Sequence, residues 1–335
     1  MTHGRGASVG DYQAPLFLAW QLTNRCQAKC LHCCEESGPD KRWPDELTRE
    51  ESLSLARQAV ELGIPYAAFG GGEPMGVPHV WDVFETLSRG GTGLKIETNG
   101  LPIGEAEADR LTHLDTECVQ ISVDGSKPET HERVRPLGDF NGALASIRRL
   151  VARKLPVEFV FVPNRINLAE IADAYDLAAE LGARAFISGP MMRLGRAARA
   201  WGTLAPSDED YRRAIEALEK RAARRQGGPK LSVYPWDIRA EMSARLESPQ
   251  AMVLVVPDGK LKLLNALPFA PADLRRHTLA ESWKLYQQAW RSEEVRDFIT
   301  MCQTDASLLL HANETWPMGT WLSRHAAKLQ RSTRG

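Results

Sequence analysis

Through the first two-thirds of the chain, short β-branched or aromatic runs alternate with amphipathic stretches, and this rhythm constrains the fold more than any other feature. It is the pattern of repeated βα units, whose crossover helices make the strands run parallel in one sheet. Strands are expected at Leu16 to Leu22, Ala67 to Phe69, Leu94 to Glu97, Cys118 to Val123, Val157 to Val162 and Arg184 to Ile187. Helices are expected between them, at Thr48 to Leu62, Val80 to Ser88, Ala106 to Leu114, Phe140 to Lys154 and Leu168 to Leu181. The run TREE, Thr48 to Glu51, is a capping box that opens the first helix, and Gly182 ends the last. Six such units are too few to close an eight-stranded barrel. The prediction is therefore an α/β partial (β/α)6 barrel of TIM type, with functional loops at the carboxyl ends of its strands.

After Met192 the rhythm changes. A charged helix is expected near Asp208 to Arg225, then a Gly-Gly-Pro break at 227–229, then two apolar runs around VPDGK at 256–260, where Asp258 and Gly259 signal a hairpin. Helical stretches at Leu279 to Arg291 and Glu294 to Met301 follow, and the basic tail after Arg324 reads as loose. The expected organisation is an arm at 1–13, the barrel at 14–200 and a small α+β extension at 201–335.

Charge excludes some partners. The 42 Lys and Arg nearly balance 43 Asp and Glu, so no broad field favours nucleic acid or a membrane surface. The basic run KRAARR, Lys220 to Arg225, reads as the solvated face of a helix. With no apolar stretch of signal or spanning length, a cytoplasmic protein is expected.

Four of the six cysteines fall within Cys26 to Cys34, in QLTNRCQAKCLHCCEES, which suits ligands in a reducing compartment better than a disulfide framework. Cys26, Cys30 and Cys33, spaced by four and three residues on a loop after the first strand, can wrap one face of an iron-sulfur cube and leave one iron open. Zinc is the alternative, with His32 or Cys34 as fourth ligand, although paired Cys-x-x-Cys knuckles are missing. Cys34 reads as a packed thiol and His32 as a ring beside whatever the cluster binds. Cys118, inside an apolar strand, reads as core.

CQAKCLHC resembles the CxxxCxxC motif of the radical S-adenosylmethionine (SAM) superfamily. The resemblance implies one 4Fe-4S cluster on Cys26, Cys30 and Cys33, with SAM chelating the open iron. It implies that one electron cleaves SAM into methionine and a 5'-deoxyadenosyl radical, and that the electron comes from a donor such as flavodoxin or ferredoxin. FGGGEP, Phe69 to Pro74, resembles the family's GGEP motif, in which the backbone of Gly71 and Gly72, together with Glu73, would orient the amino group of SAM. Glycines there let the main chain approach a ligand that a Cβ would exclude. ETNG, Glu97 to Gly100, and ISVDG, Ile121 to Gly125, match family positions beside the cofactor. Thr98 and Asn99 would line its pocket, and Ser122 and Asp124 would bond its carboxylate or ribose. In DGSKPETHERVRPLGDFNGAL, His131 and Arg135 match an H-x-x-x-R pattern, with Arg135 a candidate for the methionine carboxylate. PNRIN and RLGRA also look like family loops, offering Asn164 and Arg193 as pocket candidates.

The C-terminal region, from VPDGKLKLLNALPF to FITMC, resembles the SPASM or twitch extension, whose cysteines bind auxiliary clusters in members that have them. Here Leu264, Asn265 and Ala266 follow the hairpin and only Cys302 remains, so an extension without an auxiliary cluster is expected. Cys302 is either a buried relic thiol or a catalytic hydrogen-atom donor. Of the extension's tryptophans, Trp236, Trp283, Trp290, Trp316 and Trp321, most are expected to pack and one or two to face substrate. Only 25 residues precede Cys26, too few for a leader-recognition domain, which tilts the expectation to a small-molecule substrate derived from a sugar, nucleoside or amino acid. The alternatives are maturation of a ribosomally made peptide with a separate leader-recognition protein and, from another class, a non-catalytic redox sensor.

Overall fold

The computed structural model describes residues 9–321 and residue 323; the first eight residues of the expected arm and the tail from Arg324 lie outside the described residues. One ten-stranded sheet organises the chain. Its strands are β1 (Phe17–Thr23), β2 (Tyr66–Gly71), β3 (Gly93–Thr98), β4 (Thr116–Ser122), β5 (Val157–Phe161), β6 (Ala185–Ser188), β7 (Lys230–Val233), β8 (Met252–Val255), β9 (Lys260–Lys262) and β10 (Ala272–Asp273). β1 to β7 lie side by side in chain order, all parallel. Beyond β1 the sheet continues with β8, also parallel, and then with antiparallel β9 and β10. Among the described residues no pairing joins β7 to β10, so the barrel stays open, in line with the prediction.

Helices α1 (Arg49–Glu61), α2 (Val80–Arg89), α3 (Glu105–Leu111), α4 (Pro128–Val134), α5 (Phe140–Ala152) and α6 (Ile171–Glu180) connect the first six strands. Local signals act where the sequence places them. Thr48 Oγ1 accepts the Glu51 N–H at 3.3 Å while the Glu51 carboxylate accepts the Thr48 N–H at 2.8 Å, completing the capping box of α1. After α6, Gly182 takes φ +78, the left-handed turn that favours glycine.

The outward face of the sheet is apolar. Trp20, Phe69 and Phe84 form a ring ladder with centroids 5.9 and 4.7 Å apart, and all three are shut off from solvent. Each such side chain contributes about 1.5–3 kcal/mol by leaving water. The inward face instead carries Gln21, Lys95, Glu97, Gln120 and Glu158, with Lys95 bonded to Glu97 at 2.9 Å and Gln120 to Glu158 at 2.8 Å. Charged groups stay partly hydrated there, which marks the concave side as a solvated lumen.

The remaining helices are α7 (Gly195–Arg199), α8 (Trp201–Leu204), α9 (Asp208–Arg224), α10 (Ile238–Glu247), α11 (Leu279–Ala289) and α12 (Glu293–Thr304). The expected hairpin forms, since β8 and β9 pair around Val256 to Gly259. Its first strand docks on β1, so the extension continues the barrel's own sheet. β7 and α10 escaped the sequence reading because β7 has four half-buried or exposed residues and α10 buries only Ile238 and Met242. In the basic run that ends α9, Arg221 and the next residue after the helix, Arg225, pair with Asp176 of α6. Trp283, Trp290, Trp316 and Trp321 are core, while Trp236 is half exposed.

Candidate functional site

The loop that leaves β1 carries Cys26, Cys30 and Cys33, and its shape is fixed from several sides. The Cys26 N–H donates to Gly38 O (3.0 Å), and Lys29 and Leu31 donate to Pro136 O and Val134 O (2.8 and 2.9 Å). Gly72 and Glu73 donate to Thr23 O and Arg25 O (2.6 and 2.9 Å), tying the end of β2 to the loop. A Cβ on Gly71 would lie 2.6 Å from Thr23 O, and one on Gly72 would lie 2.1 Å from Arg25 O. Glycine is thus demanded here by a close approach to the chain's own cysteine loop, beside the ligand approach expected from the sequence.

Each of the three sulfurs has its own N–H donor: Asn99 Nδ2 reaches Cys26 Sγ at 3.7 Å, Arg135 Nη1 reaches Cys30 Sγ at 3.5 Å, and the Ser37 backbone reaches Cys33 Sγ at 3.3 Å. Burial pushes the Cys26 thiol up to about 12 and raises those of Cys30 and Cys33, in Cys30 against the pull of Arg135. Such thiols ionise readily only against a strongly positive occupant, while the donors already in place suit thiolate sulfur. Among the described residues no three His, Cys, Asp or Glu side chains converge as ligands of a single metal ion would. Thiols that do not converge on one point suit a cube, which spreads its ligands over several irons, better than a lone zinc. Cys34 turns its thiol onto Glu35, 3.6 Å away, as a packed cysteine.

Beside the loop stand two buried carboxylates. Glu73 accepts from Thr98 Oγ1 (2.7 Å), the Asn99 N–H (2.9 Å) and the Met75 N–H (3.2 Å), and burial lifts its carboxyl to about 7 against these bonds. Thr98, expected to line the pocket, is buried beneath Glu73 because its hydroxyl is needed there. Asn99 stays half-buried next to Cys26. Asp124 is fully buried and holds Arg135 Nε at 2.6 Å, His32 Nε2 at 3.2 Å and the Val162 N–H at 2.8 Å. Burial pushes its carboxyl up, but Arg135 and then His32 outweigh that and hold it below the ordinary value. Burial in turn lowers His32 to about 4. Ser122 ends β4, half-buried and in register with Val160.

Three further sequence candidates make contacts of their own. Asn164 is fully buried and builds its own loop, its side chain donating to Val162 O and accepting from the Ile166 N–H. Arg193 lies over the ring of Trp201, 5.4 Å from its centre. Cys302 is fully buried inside the extension on α12, its thiol pushed up to about 12 by burial.

Two residues that hold the loop escaped sequence reasoning. Glu46 accepts from Thr23 Oγ1 and from the Asn24 N–H, both at 2.9 Å. Arg196 donates its backbone N–H to Cys33 O (3.0 Å) and its guanidinium to Cys30 O and to Ser37 O (2.7 Å). RLGRA offered two arginines, and only the turn at Gly195 (φ +51), which packs on Cys34 O, decides which one reaches the loop. Arg196→Ala is expected to lose about 2–3 kcal/mol and to release iron to a chelator faster than the parent, as read by thermal denaturation and iron-loss kinetics.

Comparison with known proteins agrees with this geometry. Residues 20–178 match the model of the Radical SAM superfamily. The chain is 31% identical over 212 residues to the mycofactocin maturase MftC of Mycobacterium tuberculosis (strain CDC 1551 / Oshkosh), covering 63% of this chain and 54% of that one. It is 26% identical over 281 residues to the PqqA peptide cyclase of Gluconobacter oxydans, covering 81% and 77%. The chain therefore spans about half the length of the maturase. The SAM-bound structure of SuiB from Streptococcus suis superposes with a TM-score of 0.69 at 14% identity, over 89% of this chain and 72% of that one, and so shares the fold. The open parallel barrel, the three-cysteine loop after its first strand and the match over residues 20–178 together support the radical SAM superfamily for this part of the chain.

Proposed function

We propose that this chain is a radical SAM peptide maturase: it holds one 4Fe-4S cluster on Cys26, Cys30 and Cys33, cleaves SAM and abstracts hydrogen from a residue of a ribosomally made peptide. The observation that carries the radical chemistry is the loop on which three thiols, each with its own N–H donor, adjoin Glu73 and the Asp124–Arg135 pair. When bound, the cluster supplies the electron that splits SAM into methionine and a 5'-deoxyadenosyl radical.

The residues around the loop divide the work of binding. Asn99, Arg135 and the Ser37 amide steady the sulfurs, while the strand ends that present Gly71, Gly72 and Glu73 receive the amino group. Arg135 uses two of its five N–H donors on Asp124 and Cys30, leaving others for the carboxylate beside Ser122. The hydrated lumen with Lys95 and Glu97 would seat the substrate. Residues 14–200 act as the radical-generating barrel and 201–335 as a cap without an auxiliary cluster, and a flavodoxin or ferredoxin supplies the electron in the cytoplasm.

A peptide substrate reverses the preference for a small molecule drawn from the sequence. It is supported by relatives named as a maturase and a peptide cyclase. Co-expression with short peptides encoded beside the gene, followed by mass spectrometry, tests it. A peptide mass change that requires all three cysteines and survives Cys302→Ala is expected. A changed metabolite with every peptide unaltered would return the assignment to a small molecule.

A further inference from the structure

We propose that the open edge of β7 holds the peptide substrate, which adds to the sheet there as one further strand and carries its reacting residue past Tyr234 and Trp236 into the lumen. The inference rests on the peptide-maturase reading above and adds to it the surface that binds the peptide.

β7 stands last in the sheet and pairs with β6 alone. The N–H groups of Lys230 and Tyr234 donate to Arg184 O (2.9 Å) and Ser188 O (2.8 Å), so the even-numbered residues face β6. Successive residues turn their main-chain groups to opposite sides of a strand, which points the N–H and C=O of Leu231 and Val233 away from β6. Among the described residues these groups have no partner. Pro235, the next on that side, has no N–H and ends the row. The sheet's other end is closed by its own chain: past β10, the Asp273 C=O accepts from the N–H groups of Arg276 and His277, both at 2.9 Å.

A row of unpaired donors and acceptors on a strand edge is satisfied by another extended main chain. A second copy of this chain is a poor occupant, because pairing over two residues buries far less than the roughly 1,200 Å² of a stable interface. The side chains favour a peptide that continues into the barrel. Lys230 is in register with Ala185 and through it with Glu158, so it shares the lumen face. Exposed and without an ion pair among the described residues, it suits an acidic side chain on the arriving strand. Tyr234 shares that face, since a Cβ on Gly189 would lie 2.8 Å from the Cβ of Tyr234. Six large apolar side chains are exposed among the described residues, and two of them, Tyr234 and Trp236 at 64% and 51%, stand together at this one strand end. β7 runs parallel to β1, so that end opens on the side of the cysteine loop.

The test uses the anaerobically reconstituted full chain and synthetic copies of the neighbour-encoded peptide that co-expression shows to be modified, each copy N-methylated at one amide. Within one short stretch, methylation at alternate residues is expected to raise KM about tenfold, the loss of one hydrogen bond, and at the residues between them by less than twofold. V233P removes an outward N–H and none that faces β6, and is expected to raise KM about tenfold with kcat within twofold. K230E raises KM as well, and a peptide whose acidic residue is exchanged for lysine restores it. Residue-resolved hydrogen exchange should find the Leu231 and Val233 amides fast in the free chain and at least tenfold slower with the peptide. A methylation profile without alternation, or slow exchange of both amides before peptide is added, overturns the edge pairing and leaves the peptide reading standing. If no neighbour-encoded peptide is modified while 5'-deoxyadenosine still forms, the peptide reading falls and the edge pairing with it.

Discussion

Single replacement of Cys26, Cys30 or Cys33 by alanine is expected to give a folded chain that retains no stable cluster and forms no 5'-deoxyadenosine, whereas Cys34→Ala retains both. All four cysteines lie within nine residues, and only the first three have sulfurs served by Asn99, Arg135 and the Ser37 amide. Cys34 instead turns to Glu35 and passes its carbonyl to Asn313 Nδ2 at 2.8 Å, a contact that alanine keeps. The three ligands are half-buried and bond the fold through their backbones, so their loss should change stability by no more than about 1 kcal/mol. Iron analysis, the charge-transfer absorbance of the cluster and circular dichroism together check this. A Cys34→Ala chain without iron would show that the ligand set is wrong.

Asp124→Ala is expected to damage the fold itself, by about 3–5 kcal/mol. Asp124 is fully buried and compensates Arg135, whose side chain is 10% exposed, so removing the carboxylate strands a cation in the interior. It also frees the Val162 N–H and His32 Nε2 of their partner, which loosens the ends of β4 and β5 together. Asp124→Asn keeps an acceptor but not the charge and should lose less than alanine does. Urea denaturation of the cluster-free chain measures both. Loss below about 1 kcal/mol for the alanine variant would mean that Arg135 finds another anion or reaches solvent.

The barrel was legible in the sequence because each βα unit announces itself locally: a short apolar strand, a turn, a capped amphipathic helix. Thr48 with Glu51 and the turn at Gly182 needed no knowledge of the rest of the chain. What stayed hidden depends on contacts between distant segments. Nothing in VPDGK says that β8 will lie against β1, because a hairpin signal fixes its own turn and not its neighbour. The same limit explains the site candidates. Thr98 and Asn164 sit in motifs at strand ends, yet their side chains serve Glu73 and a loop of the chain itself, and polarity alone does not tell such uses from ligand binding. Arg196 rather than Arg193 clamps the cysteine loop because of one left-handed glycine, a backbone choice invisible in composition. Which strand ends the sheet could be known only once all ten were assembled, since nothing in Lys230–Val233 marks it as the last.

The central claim, that the loop after β1 serves radical chemistry on SAM, meets its most direct test in a single assay. The chain is reconstituted with iron and sulfide without oxygen, reduced with dithionite and given SAM, and the products are read by liquid chromatography and mass spectrometry. 5'-Deoxyadenosine and methionine are expected in equal amounts, neither of them formed by Cys30→Ala. A chain that carries its cluster, accepts the electron and leaves SAM intact would contradict it.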